Sequence, residues 1–552
     1  MRFYDALANA FAAEGTTDVF GMTGEANIYW LTSMEERGVR MYQVRHEGAG
    51  LAMADGWARV TGNPGVCTTT GGPGAAQLAT TMIVASRART PLVALTGDTP
   101  RGDLDNAQYL ERPRYAASIE AGFVQIHTPD EAYGAVQRAF YLARRESRPI
   151  MLNVPAEFTH TQFDEFDDYV PSTALLGKTR PAYPHPDAIE EAAEIIARSE
   201  RPVIIVGRGA IAAQAGDAIR KLADRTGAVI ATTLMAKNWL GDYPYHAGLT
   251  GLFATKNAIQ LFQRADCVIA FGASLNRYTT EHGYLYPNAT YIQVDSQPHV
   301  VMGNGQAADC YVHADAGLAL AALDQALAGH APSANSYHAQ ETLDLLGSAL
   351  ADPRTFDIGP GTVDTRDAAR TLDETIPGNI GMVLGGGQQN HFGIMLCNRQ
   401  RDYLVPNLHF ASIGQGLTTA MGAVIARRNQ PAFLMEGDAG FMMHLAEFET
   451  AVRYNIPLLV CVFNDQGFAA EYHHYRKNLG GHIDVVQIPT PDLGKVAVAL
   501  GGRGALATST DELRRAAADF VANPGPMIID VRVSREVASI PNRRRYLGEE
   551  DQ

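Results

Sequence analysis

Cysteine is scarce in this chain, cations are outnumbered, and no apolar run is long. Five cysteines (Cys67, Cys267, Cys310, Cys397 and Cys461) are scattered over 552 residues with no C-x-x-C pair. This odd set excludes a disulfide framework and suggests reduced, mostly buried thiols in a cytoplasmic protein. No stretch approaches the roughly 18 uninterrupted apolar residues of a bilayer span. The opening MRFYDALANAFAAEGTTD lacks the apolar core of a signal peptide, so none is expected. Lys+Arg 45 against Asp+Glu 60 gives a formal net charge of −15. Such a chain is a poor candidate for binding nucleic acid or an anionic membrane, where clustered cations supply the affinity. Any anion site should then be sought in loop backbone.

Apolar residues and glycine are plentiful. The chain is 46% hydrophobic and 19% charged, so it can bury large cores and is not disordered. At roughly 150 residues per domain the length suggests three or four units. The 53 glycines suggest turns whose backbone approaches a ligand closely.

The recurring unit is a β-branched run, a Gly-containing turn and a helical pattern, as in RPVIIVGRGAIAA and PAFLMEGDAGF. This alternation predicts an α/β fold of parallel βαβ units, with ligands at the carboxyl ends of the strands. Three blocks are expected: residues 1–165, 187–330 and 355–535, followed by a charged tail, 536–552. A Pro- and Tyr-containing linker is expected around 170–186, and a polar connection through 331–360. The first and third blocks echo each other. GGPGAAQLATTMIVASRARTPLVALTGD and EGDAGFMMHLAEFETAVRYNIPLLVCVFND each give a Gly loop, a helix, a proline, an apolar strand and a polar pair ending in Asp. Shared α/β architecture would produce the same pattern; a duplicated pair of similar domains explains it better.

The third block carries the sharpest chemistry. Strand PAFLM runs into Glu436-Gly437-Asp438-Ala439-Gly440, and strand PLLVCVF ends in Asn464-Asp465-Gln466-Gly467. If the two strands are parallel neighbours, Asp438 and Asp465 converge on one edge, where oxygen ligands suit a hard cation such as Mg²⁺ with phosphate oxygens. Ala439 and Gly440 would free N–H groups for phosphate at the helix start. VLGGGQQN offers a second loop, Gly385 to Gly387, with Gln388 and Gln389 as donors. A lone G-D-x-G is an ordinary turn; its pairing with N-D-x-G at a second strand end is what carries weight.

At these residues the chain resembles the thiamin diphosphate (ThDP)-dependent enzymes of the acetolactate synthase and pyruvate decarboxylase group, whose G-D-G…N-N motif matches GDAGF…NDQGF. The resemblance implies three doubly wound parallel-sheet domains: pyrimidine-binding, central and diphosphate-binding. It implies Mg²⁺ held by Asp438, Asp465 and the carbonyl of Gly467. Around the cofactor it places Gly387, Gln388, Gln389, Gly437, Ala439, Gly440 and Phe468. Asp465 stands where the family usually has Asn, adding negative charge beside a diphosphate.

Arg45-His46-Glu47-Gly48-Ala49 precedes a helix containing Asp55 and Trp57. Read alone, Glu47 is a helix-start acid that favours the macrodipole. The family's R/S-H-E-x-x-A segment matches it, and there the glutamate hydrogen-bonds the cofactor's aminopyrimidine and promotes loss of the thiazolium C2 proton. Ile413, otherwise a core residue, matches the large aliphatic side chain that bends the cofactor.

On the substrate side, Glu25 and Glu471 match acids of the decarboxylases, where one serves as proton donor to an enamine; both could also be solvated surface charges. The decarboxylases' histidine pair in the first domain is absent. Gln108 sits there instead, as in acetolactate synthase-like sequences. His473 and His474 could replace the missing imidazoles, although adjacent histidines on a helix more often face solvent.

The middle block resembles the family's central domain, which in some members holds FAD and in others ADP or a coenzyme A moiety. Arg208 and Lys237 could meet phosphates or be surface charges. The leading expectation is therefore a ThDP- and Mg²⁺-dependent C–C lyase decarboxylating a 2-oxo acid. The alternatives are an acetolactate synthase-like carboligase and a 2-hydroxyacyl-CoA lyase. The family's shared sites imply a homodimer or homotetramer acting on a small carbonyl substrate.

Overall fold

In the computed structural model, residues 1–163, 168–177, 180–297, 302, 305–348, 352–478 and 484–548 are described. Parts of the expected linker (178–179), of the 331–360 connection (349–351) and of the tail (549–552) lie outside them.

Strongly apolar runs become strands buried on both faces. PVIIV (Pro202–Val206) and CVIAF (Cys267–Phe271) are buried at every position, as parallel strands covered by helices on both sides must be. Among the described residues eighteen strands form three six-stranded sheets. The first contains β1 (Asp18–Gly21), β2 (Arg40–Gln43), β3 (Gly65–Thr69), β4 (Leu92–Asp98), β5 (Gly122–Gln125) and β6 (Pro149–Pro155), in the order β2-β1-β3-β4-β6-β5. The second contains β7 (Pro202–Val206), β8 (Val229–Thr232), β9 (His246–Leu249), β10 (Cys267–Phe271), β11 (Thr290–Asp295) and β12 (Cys310–His313), in the order β12-β11-β10-β7-β8-β9. The third contains β13 (Gly381–Leu384), β14 (Leu404–Pro406), β15 (Ala432–Gly437), β16 (Leu458–Asn464), β17 (Arg503–Ala507) and β18 (Met527–Arg532), in the order β14-β13-β15-β16-β18-β17. Every pairing between these strands is parallel.

The chain divides into two compact units. One combines the first and third sheets (residues 1–179, 356–397 and 402–547), and the other is built mainly from 180–355 and 398–401. Inside the first unit the Glu47–Thr61 helix packs on the Gly416–Ala426 helix. Their backbones touch: a Cβ on Gly56 would overlap the Thr419 carbonyl, and one on Gly422 the Met53 carbonyl. Around this crossing Phe20, Leu51 and Met53 share a core with Leu417, Met421, Leu434 and Val460. The buried ion pair Asp55–Arg59 (2.7 Å) lies on the same helix, and Arg59 donates to the Pro406 carbonyl at 2.8 Å. All five cysteines are buried thiols. Among the described residues no helix is long and apolar enough to cross a membrane.

Candidate active site

β15 and β16 are parallel neighbours, with Gly437 opposite Phe463, so Asp438 and Asp465 leave the sheet side by side. β13 flanks β15 on the other side and brings the Gly385–Gly387 loop to the same edge. Asp438 opens the Asp438–Met443 helix and is 1% exposed. Its Oδ2 accepts a hydrogen bond from Thr490 Oγ1 at 3.0 Å. Burial lifts its pKa to about 6 against the hydrogen bonds from Thr490 and the Ala439 N–H. The Asp465 carboxyl is pushed to about 8 by burial and then by the charge of Asp438, with Arg535 opposing. Arg535 also donates to the Asp465 carbonyl at 2.7 Å. With Asp438 raising Asp465 beside it, the pair forms a site short of positive charge, which a divalent cation would supply. Among the described residues no three His, Cys, Asp or Glu side chains converge. A cation here would therefore complete its shell with carbonyl, water or phosphate oxygens, as Mg²⁺ does.

The turn after β16 is held rigidly. Gln466 has φ +66 and pairs with Asn464 Oδ1 through its side chain at 3.0 Å. Gly467 bridges Gln487, and the Phe468 N–H donates to the Val486 carbonyl at 3.0 Å. Asn464 in turn donates to Asp530 at 2.9 Å.

Beside Asp438, Glu436 forms a third acid of this edge. It is fully buried, its pKa is raised to about 8 by burial, and its Oε2 has no hydrogen-bond partner among the described residues. A Cβ on Gly385 or Gly416 would overlap its carboxyl, and one on Gly440 would come within 2.9 Å. One carboxyl therefore fills the space between three loops of this edge. Its position in E-G-D-A-G was visible in the sequence, but its neighbours were not.

Gln389 ties the β13 loop to itself, donating to the Gly386 carbonyl at 2.6 Å. Gln388 differs from a free phosphate donor. Its amide donates to the Val537 carbonyl at 3.2 Å and accepts from Asn542 at 2.7 Å. The beginning of the tail is thus docked on this loop, where His391 also meets Ser539 at 2.8 Å. Ile413 is half-buried, and its Cα would lie 3.2 Å from a Cβ on Gly386.

A second cluster forms at the carboxyl edge of the first sheet. Glu47 begins its helix, and His46 caps it by accepting the Gly48 N–H at 3.0 Å. Gly74 faces Glu47, since its Cβ would lie 3.2 Å from Glu47 Oε1. A Cβ on Gly71 would overlap Gln108 Oε1, and one on Gly24, beside Glu25, would lie 2.6 Å from Thr70 Cβ. Glu47, the 70–74 turn, Gln108 and the Glu25 loop are therefore gathered together. Glu25 and Gln108 are exposed.

Glu471 is exposed on the Ala469–Asn478 helix of the third sheet's domain. The two histidines that follow divide. His473 is 3% exposed, with its pKa lowered to about 4 by burial, whereas His474 is exposed with its ring edge on Tyr546.

In the second unit the strand order is that of dinucleotide-binding folds, with the reversal between β7 and β10. Its glycine turns meet there, for a Cβ on Gly207 would overlap the Gly272 carbonyl. Backbone packing thus explains these glycines without a nucleotide. Arg208 is half-buried and Lys237 is buried.

Three family models cover most of the chain. The N-terminal binding domain of thiamine pyrophosphate enzymes matches residues 1–154, their central domain 189–323, and their C-terminal binding domain 385–531. A probable acetolactate synthase large subunit of Methanocaldococcus jannaschii is 27% identical over 96% of this chain and 92% of its own length. Acetolactate synthase 1 of Nicotiana tabacum, a chloroplast protein, is 27% identical over 97% of this chain and 82% of its own. The sulfoacetaldehyde acetyltransferase of Alcaligenes xylosoxydans xylosoxydans is 24% identical over 99% and 95%. With the motifs at adjacent strand ends and all three domains matched in order, the chain belongs to the thiamine pyrophosphate-dependent enzymes of the acetolactate synthase type.

Proposed function

We propose that the protein is an acetolactate synthase-like carboligase, transferring the acyl unit of a decarboxylated 2-oxo acid to a second carbonyl. The observation that carries this reading is the place of Gln108 against Gly71 in the turn that also faces Glu47. A neutral amide there can hydrogen-bond an acceptor carbonyl without delivering a proton, so it favours C–C bond formation over aldehyde release. The decarboxylase expected from Glu25 and Glu471 becomes the lesser reading, since the relatives above carry synthase and transferase names.

ThDP supplies a carbon nucleophile at its thiazolium C2 that can accept the electron pair of a breaking C–C bond. Asp438, Asp465 and the Gly467 carbonyl would hold Mg²⁺. The N–H groups of 437–440, with Gly387 and Gln389, would hold the diphosphate, and Ile413 and Phe468 would line the cofactor. Glu47 would bind the aminopyrimidine ring nitrogen and move its proton, and Glu25 and Glu471 would flank the substrate. In this reading residues 1–165 bind the pyrimidine and 355–535 the diphosphate. The two clusters come from different subunits of a homodimer or homotetramer, and the central domain is free to carry FAD, ADP or nothing.

The test is product analysis of the purified chain with ThDP, Mg²⁺ and a panel of 2-oxo acids. We expect CO₂ together with a ligated 2-hydroxy-3-oxo acid or acyloin. CO₂ with aldehyde alone would restore the decarboxylase. Cleavage of a 2-hydroxyacyl-CoA without turnover of any 2-oxo acid would overturn both.

A further inference from the structure

We infer that Glu447 is a positioning residue that fixes the backbone leading into Glu47. Glu447 opens the Glu447–Arg453 helix of the third sheet's domain and is 1% exposed. Its Oε1 accepts the Arg45 N–H at 2.9 Å, and its Oε2 accepts from Thr450 Oγ1 at 2.8 Å. The His46 N–H also donates to this carboxyl. Residues 45 and 46 immediately precede the helix that Glu47 starts.

The rest of the 447–454 segment grips the same stretch. Arg453 donates to the Gln43 carbonyl at 2.9 Å, and the Gln43 N–H donates to Tyr454 Oη at 2.8 Å. Arg45 and Glu449 form an ion pair at 2.8 Å. At residues 43, 45 and 46 the backbone is thus tied to the 447–454 segment of the other domain.

A buried carboxylate is a costly way to fill space, and an apolar side chain would pack this position more cheaply. What the carboxylate adds is direction. It holds the N–H groups of the two residues that lead into the helix, so the 45–46 turn has one conformation. Glu47 is the first residue beyond that turn. A side chain that must meet a ring nitrogen needs its backbone fixed to within about half an ångström. In the chain this segment follows the Asp438–Met443 helix.

This inference rests on the role proposed for Glu47, and the test separates the two. Amide hydrogen exchange at residues 45–48 is followed by mass spectrometry in the cofactor-free protein. C2 proton exchange of bound ThDP is followed by NMR in the Mg²⁺-loaded protein. Glu447→Ala should lose protection at 45–48 and slow C2 exchange, each at least tenfold. Glu447→Gln keeps an acceptor oxygen for the Arg45 N–H and should restore both to within about threefold. A purely structural residue would lower protection throughout the domain, and Gln would not restore C2 exchange selectively; that pattern would overturn the inference. So would wild-type values in Glu447→Ala. Should Glu447→Ala not fold, Thr450→Val frees one carboxylate oxygen and should give a smaller change in the same two rates, whereas unchanged rates would refute the proposal. If Glu47→Gln itself leaves C2 exchange at the wild-type rate, the role of Glu47 falls and the inference falls with it. If Glu47→Gln abolishes exchange while Glu447→Ala does not alter it, only the inference falls.

Discussion

The first and third sheets run their strands in the same order, 2-1-3-4-6-5 counted within each sheet, yet their carboxyl edges are chemically opposite. The third edge buries Glu436 and Asp438 and half-buries Asp465, each with its pKa raised by desolvation. The first edge leaves Glu25 and Gln108 exposed and Glu47 half-buried. The second sheet, in the order 3-2-1-4-5-6, follows a different winding. One scaffold thus carries two duties. In the proposed reading the acids of the third edge would seat a cation, and the more accessible acids and amide of the first would face a substrate or a ring nitrogen. The difference lies in the residues at the strand ends and not in the topology.

Several substitutions can break that comparison, and the largest effect is expected at the first edge. Glu47→Gln should reduce turnover at least 100-fold, which is about 3 kcal/mol of barrier, without lowering the thermal midpoint. Steady-state rates with a 2-oxo acid and calorimetric melting check it together.

At the third edge, removing charge should help the cofactor-free fold. Asp438 is raised from 3.8 to about 6 in the folded chain, so its ionisation opposes folding. That penalty is absent below the ordinary value, grows as pH rises toward 6 and is complete above it. For Asp465 the window extends to about 8. The cofactor-free protein should therefore lose stability as pH rises from 4 to 8. Asp438→Asn should flatten this slope and stabilise it by roughly 1–3 kcal/mol at neutral pH. Mg²⁺ with ThDP should stabilise the wild type most at the alkaline end. Denaturant midpoints across pH, with and without metal, decide it.

Gly416→Ala should destabilise by about 1–3 kcal/mol, because the new methyl meets the Glu436 carboxyl. Combining it with Glu436→Ala should recover most of that loss, and a double-mutant cycle measures the coupling. The smallest effect is expected for Glu25→Gln. An exposed acid with no described ion pair should change stability by less than about 0.5 kcal/mol, while product analysis should show less aldehyde beside the ligated product.

Much of this contrast was legible in the residues. The Gly loop, helix, proline and apolar strand repeated in the first and third blocks mark the shared winding. The buried runs PAFLM and PLLVCVF end just before Asp438 and Asp465, so both acids could be placed on one edge from strand-end position alone. Glu436 was not legible, because its surroundings are glycines at 385, 416 and 440 that meet only after the sheet has formed. The engagement of Gln388 with Val537 and Asn542 spans about 150 positions and depends on where the tail docks. His473 and His474 are adjacent in sequence, but the packing of their helix buries one and exposes the other. Local pattern marks strand ends; long-range packing decides which polar side chains stay available.

The division of duty between the two edges is tested most directly by titrating ThDP, in the presence of Mg²⁺, into Asp438→Asn and Glu47→Gln protein by calorimetry. We expect Asp438→Asn to lose measurable binding and Glu47→Gln to bind within about tenfold of the wild type while failing to turn over. Tight, Mg²⁺-dependent binding to Asp438→Asn, or full activity in Glu47→Gln, would contradict the account.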